Sequence, residues 1–517
     1  MTQRRHIVTA ALVLFLGNLV SRVLGLVREQ VIASLFSISI VTSAFQTANT
    51  VPTMFYDLLI GGAVSAALIP VLSGYADADD RSELGHIVGT LLTGAALLLS
   101  VLIVFLVAIA GPLASVLETT TNPEAVPLTV GFLQVVIPSL AFLGMSGVTT
   151  AVCYARRWVA LPAFSIALYN GGMVLTIVLL HRGLGPTSMA AGVLVGAFLQ
   201  FVAVTPGLAG IPIKFGLDLK HPAIRKILRL YAPVAAGLII TEIGVLVDRK
   251  LAWSTGTDSV AIMRYATFLV QLPLGLVATA TSLAVLPILS RLIDDGPGFR
   301  HTLSLGLRLA LLAIIPAGAF LITFREPVIR LLFQHGAFDA GATSVTATAF
   351  LLYAPQLPFV AIDQLLVYAF YARKNTLTPM LVGLGGVCVY LVTALVLIYP
   401  AHLGLAGLIL ANTIQNSLHA VVLLALLWRS IGSLKGLGIG RTTVQALGAG
   451  ALAAGVALVL ARAVPAPHGL VGLTLYVGSG VLATAVTYLG VLYALGVEEV
   501  QSISRLLRKR LVPVTEG

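Results

Sequence analysis

Several charged side chains stand inside stretches otherwise apolar enough to cross a bilayer. Arg22, Arg28 and Glu29 fall in 7–35, Asp57 in 41–72, Glu242, Asp248 and Arg249 in 230–254, Arg264 in 258–290 and Asp363 in 344–371. A charge at bilayer depth costs on the order of 3 kcal/mol on an insertion scale, so each marks a candidate functional position. The planar fork of arginine suits phosphate, which it binds bidentately, so Arg22 and Arg28 are candidate ligands for an anionic headgroup. The competing reading is that both snorkel or form fixed ion pairs. Leu26-Val27-Arg28-Glu29 aligns with Leu246-Val247-Asp248-Arg249, making Arg28 and Asp248 equivalent positions able to pair when a cavity between two lobes closes. Glu29, Asp248, Glu242 and Asn412 are candidates for a cavity ion pair or for coupling. The last three supply oxygens suited to a cation, Na+ or H+, although spacing alone does not show that they converge. Asp363 has no partner legible in the sequence.

Enzyme chemistry finds no foothold. The chain has no carboxylate pair at catalytic spacing, no HExxH, no Walker-type loop and no nucleophile elbow, so no catalytic residue is assigned and an ATP-driven pump or membrane hydrolase is disfavoured. Cys153 and Cys388 both lie in apolar spans, which suggests neither a disulfide nor a metal site, and no cofactor is expected. His335, His402 and His468 fall in outer loops, where solvated spectators are commonest.

The elements that must position these residues are membrane helices. Of 517 residues, 10% are charged and 58% hydrophobic, with mean hydropathy +1.01, against roughly 25% charge in a soluble domain. Runs 87–110, 125–154, 159–180, 187–209, 380–399, 404–427, 442–461 and 470–496 contain no Asp, Glu, Lys or Arg. Each is a spanning candidate. With 303–323 and the five charge-bearing stretches above, the expected total is about 14. Arg4, Arg5 and His6 before the first apolar run resemble a signal peptide, but no small-residue cleavage site follows.

Net charge is +11, and its distribution follows topology rather than nucleic-acid binding. With the N-terminus inside and 14 spans, inner segments hold 21 Lys and Arg, whereas outer loops hold Arg182, Arg325, Arg330 and Arg462. This bias predicts both termini in the cytoplasm.

The chain also repeats itself. Tyr154-Ala155-Arg156-Arg157, followed by Pro162, returns as Tyr371-Ala372-Arg373-Lys374 with Pro379, an offset of 217. Ser65, Ala67, Pro70, Leu72 and Ser73 return at the same offset as Ser282, Ala284, Pro287, Leu289 and Ser290. Two coincident offsets argue duplication. An offset carrying six spans gives a parallel repeat, and duplicated bundles are the usual architecture of alternating-access transporters. The expected fold is an all-α polytopic membrane protein: two parallel six-helix lobes related by internal repeat, plus two extra C-terminal helices. The expected divisions are an N-lobe at 1–209, a basic amphipathic inter-lobe linker at 210–229, a C-lobe at 230–428, spans thirteen and fourteen at 429–497 and a basic cytoplasmic tail at 498–517. A short helix on the outer surface is expected in 324–343. Trp158, Trp253 and Trp428 are expected as interfacial anchors, and Ser21, Gly25, Pro52, Gly61, Gly62 and Pro70 as hinge or close-packing positions.

These residues carry a family resemblance. Ser21-Arg22-Val23-Leu24-Gly25-Leu26-Val27-Arg28-Glu29 resembles the SRxxGxxR[DE] signature of MurJ/MviN proteins, the lipid II flippases of peptidoglycan synthesis. Pro52, Gly62-Ala63 and Pro70-Val71-Leu72 are similar to its second-helix pattern. Gln271-Leu272-Pro273-Leu274-Gly275, Leu286-Pro287-Ile288-Leu289-Ser290, Gly336-Ala337-Phe338 and the run from Phe370 to Pro379 resemble its later motifs. The resemblance implies the fold of the multidrug/oligosaccharidyl-lipid/polysaccharide exporter superfamily in a bacterial cytoplasmic membrane. It also implies alternating access that carries an undecaprenyl-pyrophosphate-linked disaccharide-pentapeptide to the outer leaflet, and Arg22 and Arg28 as cavity arginines. The chain departs from the pattern at Ser43, where an aspartate is expected, at Tyr56 (arginine), at Gly61 (glutamate) and at Thr267-Phe268 (Asp-Arg). Arg264, one helical turn before Phe268, restores a charge to that face.

The expected function is therefore a lipid-linked oligosaccharide flippase with an undecaprenyl-linked lipid as substrate, membrane lipids and cell-wall synthesis proteins as partners, and no nucleic acid. The alternatives are a flippase or exporter of another polyprenyl-linked glycan or amphipathic small molecule on the same fold, or a transport-inactive scaffold.

Overall fold

The structure is a computed structural model that describes residues 2–58, 64, 67–76, 81–118, 122–432, 436–467 and 469–502. It describes the backbone alone for 2–11, 240, 276, 278–284, 286 and 287. Gly61 and Gly62, Lys435, His468 and the basic tail from Arg505 lie outside the described residues. The described chain is helical, without a strand, and forms two compact units, Met1–Ala261 with His335–Phe338, and Ile262–Gln334 with Asp339–Gly517.

Ten helices lie wholly within the first unit: α1 (Thr2–Phe36), α2 (Ile40–Tyr56), α3 (Ile69–Ala76), α4 (Ser82–Ala108), α5 (Ala110–Leu117), α6 (Ala125–Val136), α7 (Ser139–Ala155), α8 (Ala160–Leu184), α9 (Thr187–Val204) and α10 (Pro222–Thr255). Nine follow: α11 (Ser259–Arg291), α12 (Gly296–Thr323), α13 (Arg325–Phe333), α14 (Ala340–Tyr353), α15 (Leu357–Ala372), α16 (Leu377–Ile398), α17 (Gly404–Ile431), α18 (Ile439–Ala463) and α19 (Leu470–Ala494). Such lengths are what apolar spans require, because only helices satisfy the backbone internally where water is absent.

Among the described residues ten helices are long and apolar enough to cross a membrane, counting α14 and α15 as one, and the pair α6 and α7, bent by 41°, makes an eleventh. The other three of the 14 expected spans fall on α1, on α2 with α3, and on α11. Their described parts are helical, but each is charge-bearing, interrupted or partly outside the described residues, so the count of 14 stays an expectation.

The repeat appears as local geometry. After α7, Arg157 takes φ 64° and Trp158 N donates to Cys153 O at 2.8 Å. After α15, Lys374 takes φ 59° and Asn375 N donates to Phe370 O at 3.0 Å. Donors and acceptors are both 217 apart, so the duplicated sequence makes the same left-handed stop, whose returning N–H satisfies an otherwise orphaned helix carbonyl.

The segment between α9 and α10 has no regular secondary structure over 211–218 and passes close along α4. A Cβ on Gly89 would lie 2.0 Å from Lys214 O, and one on Gly85 would lie 2.2 Å from Pro212 O. His86 Nε2 meets Asp218 Oδ2 at 3.1 Å, and this hydrogen bond holds the Asp218 carboxyl below its usual range.

Two expectations change here. Trp253 is no interfacial anchor: it is 1% exposed, and its indole N–H donates to Thr47 Oγ1 at 2.9 Å. An indole at a helix end reads alike in sequence whether it meets water or a packed hydroxyl. Trp158 and Trp428, 43% and 41% exposed, stay at the surface. The short helix expected in 324–343 is α13, but its apolar side is buried, with Ile329 and Phe333 at 0% exposure. That side packs against protein, and Glu326 in the first turn of the helix is exposed.

Between α5 and α6, outside the spans, Glu118 is 6% exposed and accepts a hydrogen bond from the Thr129 hydroxyl. Burial raises its carboxyl from 4.5 to about 7, the Thr129 bond opposing the shift.

Two predictions follow from these contacts. Gly89→Ala drives a methyl into the Lys214 backbone and lowers stability by about 1–3 kcal/mol; Gly94→Ala, whose Cβ meets only Leu217 Cδ1 at 3.5 Å, is near neutral. Thermal unfolding in detergent compares them. Because the folded-state value of Glu118 is raised, its favourable contribution is complete below 4.5 and is lost as pH rises through about 7. The stability gained by Glu118→Gln over wild type therefore grows across that window, to on the order of 3 kcal/mol, and pH-resolved melting measures it.

Candidate functional site

In the first unit α1 lies directly on α8, since a Cβ on Gly17 would stand 2.5 Å from Ala163 O. That approach places Arg28 beside Asn170. Arg28 Nη1 donates to Asn170 Oδ1 at 3.0 Å and lies 4.0 Å from Met173 Sδ, while Nη2 meets Glu29 Oε1 at 2.7 Å. Asn170 Nδ2 in turn donates to Ser21 O at 3.2 Å. The amide is thus a bracket fixed to the α1 backbone that aims the guanidinium. Glu29 is 1% exposed and the Arg28 side chain 17%. Three of the five guanidinium N–H donors make these contacts, the one to sulfur weakly, and the group keeps capacity for an anion. Arg28 pairs with the carboxylate next to it in sequence, and Asp248 lies beside Arg249.

Arg22 is exposed on α1. Six residues from Arg28, it points about 120° away around a regular helix. The two arginines share a helix but not a face.

A second cluster joins α2 and α10. Arg249 Nε donates to Thr50 Oγ1 at 3.3 Å, one turn from the Trp253–Thr47 bond, and Arg249 Nη1 lies 3.9 Å from Asp248 Oδ2. Thr47 and Thr50 pass their own hydroxyl protons to Ser43 O and Gln46 O, leaving each oxygen free to accept. Ser43 accepts from Ala261 N at 3.2 Å. Tyr56 hydrogen-bonds Gln200. The positions of the missing family aspartate and arginine are thus occupied by neutral groups bonded within the same unit.

The second unit holds the remaining candidates. Arg264 is half-buried on α11, and its carbonyl accepts from Thr267 Oγ1 at 3.1 Å. Phe268 packs edge-on against Phe333 at 6.0 Å, with Tyr265 at 5.2 Å from the same ring. Asn412 Oδ1 accepts from Asn416 Nδ2 at 3.0 Å, and that nitrogen also reaches Gln356 Oε1 at 2.6 Å. Asp363 has a partner after all, His419, with Oδ1 and Nδ1 2.8 Å apart. Glu242 and Asp248 lie in the first unit and Asn412 in the second. Among the described residues no three His, Cys, Asp or Glu side chains come together as metal ligands.

Sequence reading missed Asn170, Thr47, Thr50, Gln356, Asn416 and His419. The available signal was an amide, hydroxyl or imidazole inside an apolar run, where nothing but another part of the chain can satisfy it.

A helical membrane bundle holding an arginine in a protein-made bracket belongs to the class of polytopic transporters, and solved structures of that class share the fold. One titled "Lipid II flippase MurJ, inward closed conformation" superposes with TM-score 0.78 at 21% identity, covering 94% of this chain and 99% of that one. An inward-facing multidrug resistance MATE family transporter of the MOP superfamily follows at 0.69 and 14%, covering 80% and 95%. The family model described as lipid II flippase MurJ matches residues 32–478, and the chain belongs to that family. The lipid II flippase MurJ of Burkholderia cenocepacia is 29% identical over 421 residues, 78% of this chain and 81% of that protein. The probable lipid II flippase MurJ of Bdellovibrio bacteriovorus is 26% identical over 515 residues, 97% of each.

Asn170→Leu removes the acceptor of a charged hydrogen bond, a loss of about 1.5–3 kcal/mol, and frees the Arg28 side chain. Its transport rate in vesicles falls at least about tenfold, whereas Asn170→Asp, which keeps an acceptor for Arg28, retains more of it.

Proposed function

We propose that this protein is a flippase that carries lipid II, the undecaprenyl-pyrophosphate-linked peptidoglycan precursor, across the bacterial cytoplasmic membrane by alternating access. Family membership over residues 32–478 supports the cargo. The observation that supports the mechanism is the guanidinium of Arg28, held by Asn170 and Glu29 inside an apolar helix pair. Arg28 takes the pyrophosphate, and Arg22, on another face of α1, adds positive charge to the same helix, while the polyprenyl tail stays in lipid; Arg264 is a separate cationic candidate on the second unit. The bound anion competes with Glu29 for Arg28. The cluster therefore has two low-energy arrangements, loaded and self-paired, as a carrier requires. Both termini face the cytoplasm, following the Lys and Arg bias. The membrane potential supplies about 2.3 kcal/mol per charge per 100 mV, and a coupled cation adds to it. Membrane lipids and cell-wall synthesis proteins are its expected neighbours.

Tyr56 and Phe268, where the family pattern has arginines, favour a second reading in part: a polyprenyl-linked cargo whose headgroup needs fewer cationic contacts.

Cells depleted of their own lipid II flippase test both. Wild type restores growth, Arg28→Ala at equal membrane abundance does not, and Arg28→Lys, a point charge without the fork, restores it partly. A well-inserted wild type that fails to restore growth overturns lipid II as cargo.

A further inference from the structure

α14–α15 and α17 are the two least apolar of the ten long membrane helices, and their polar side chains face each other. Gln356 and Asp363 are two turns apart on one side of the first; Asn412, Asn416 and His419 follow at i, i+4 and i+7 on the second. The rungs are Gln356 to Asn416 at 2.6 Å and Asp363 to His419 at 2.8 Å. The upper rung sits at the break between α14 and α15, where Pro355 interrupts the helix and 354–356 tighten to a 3-10 turn. The lower rung is ionisable and partly open, with side-chain exposures of 24% for Asp363 and 16% for His419.

We propose that the Asp363–His419 pair is a proton-binding site whose occupancy is coupled to movement of the cargo. This rests on the flippase reading.

The geometry fixes where the proton goes. With Asp363 ionised, a carboxylate that can only accept, Nδ1 of His419 must carry the hydrogen between them, so the exchanging proton is assigned to Nε2. Nε2 looks toward α16 at Gly383, where an added Cβ would be 3.9 Å away, and Gly386 leaves room beside the ring. With Nε2 protonated, the rung is an imidazolium–carboxylate pair; without it, a neutral donor on a carboxylate, roughly half as strong. Uptake of one proton therefore tightens α15 against α17, and release loosens it next to the break at Pro355. Histidine is the side chain whose charge changes near physiological pH.

Other titratable groups on the packed helices are Tyr353 on α14, Tyr368 and Tyr371 on α15, Cys388 and Tyr390 on α16, and Arg429 on α17. α12 adds Arg300, His301 and Arg308, the last paired with Glu499 at 3.1 Å. Tyr368 accepts from Gln364 at 3.4 Å. Among the described residues, Asp363 and His419 make polar contact only with each other.

The test uses the full chain in proteoliposomes with a fluorescent lipid II probe, membrane potential clamped and one pH unit imposed across the bilayer. One coupled proton per cycle permits up to about a tenfold bias. Wild type should show several-fold acceleration with one gradient polarity and slowing with the other. Asp363→Asn and His419→Gln should give the same rate with and without the gradient, and Asp363→Glu should keep part of the response. As a second measurement, adding lipid II to detergent-solubilised protein in weak buffer should change bound protons by about one per wild-type molecule, and by none in His419→Gln. A wild type that moves the probe equally with and without a gradient overturns the coupling and leaves the flippase reading intact. A gradient response or proton change unaltered in the variants overturns the assignment to this pair. A wild type that moves no probe overturns both.

Discussion

Inside an apolar bilayer a polar side chain can bond only with other parts of the chain, and the structure follows from how each such group is answered. Helices satisfy their own backbones, so the remaining freedom lies in side chains. The candidate sites are places where two helices each contribute one half of a polar contact: Arg28 with Asn170 across α1 and α8, Arg249 and Trp253 with Thr50 and Thr47 across α10 and α2, and Asp363 with His419 across α15 and α17. These contacts set which helix faces meet, and small residues such as Gly17 set how closely.

The first unit gives this arrangement its chemical character. Glu29 is buried beside Arg28, so the charge of the arginine is partly met before any anion arrives. Full burial of both ions would be expensive, and the partial exposure of Arg28 keeps that cost down. Thr47 and Thr50 illustrate the same economy, donating to their own helix and accepting from α10 with one hydroxyl. Where the family pattern has charge, this chain has Ser43 and Tyr56, each bonded to a neutral partner. The two positions are reduced in charge without being left unsatisfied.

Much of the fold was legible because its signals are local. Charge-free runs of twenty or more residues announce membrane helices, and a motif repeated at an offset of 217 announces duplication; both α7 and α15 end in the same left-handed turn. The site was legible only in half. Intramembrane charge pointed to Arg28, Glu29, Asp248 and Asp363, because a costly residue stands out against leucine and valine. Its partners did not stand out. Asn170 and His419 are 142 and 56 residues from the groups they hold, and pairing over such separations is set by helix packing.

The sequence by itself determined that the chain is a duplicated helical membrane protein, which helices carry charge and to which family it belongs. Composition and periodicity act within one helix, and the bilayer leaves a helix few alternatives. Only the tertiary structure decided that Arg28 turns to Glu29 and Asn170 rather than Asp248, that Trp253 is buried, that α13 hides its apolar side and that Asp363 has a histidine partner. Each is a choice among several polar or apolar groups available to one side chain, and packing geometry makes that choice.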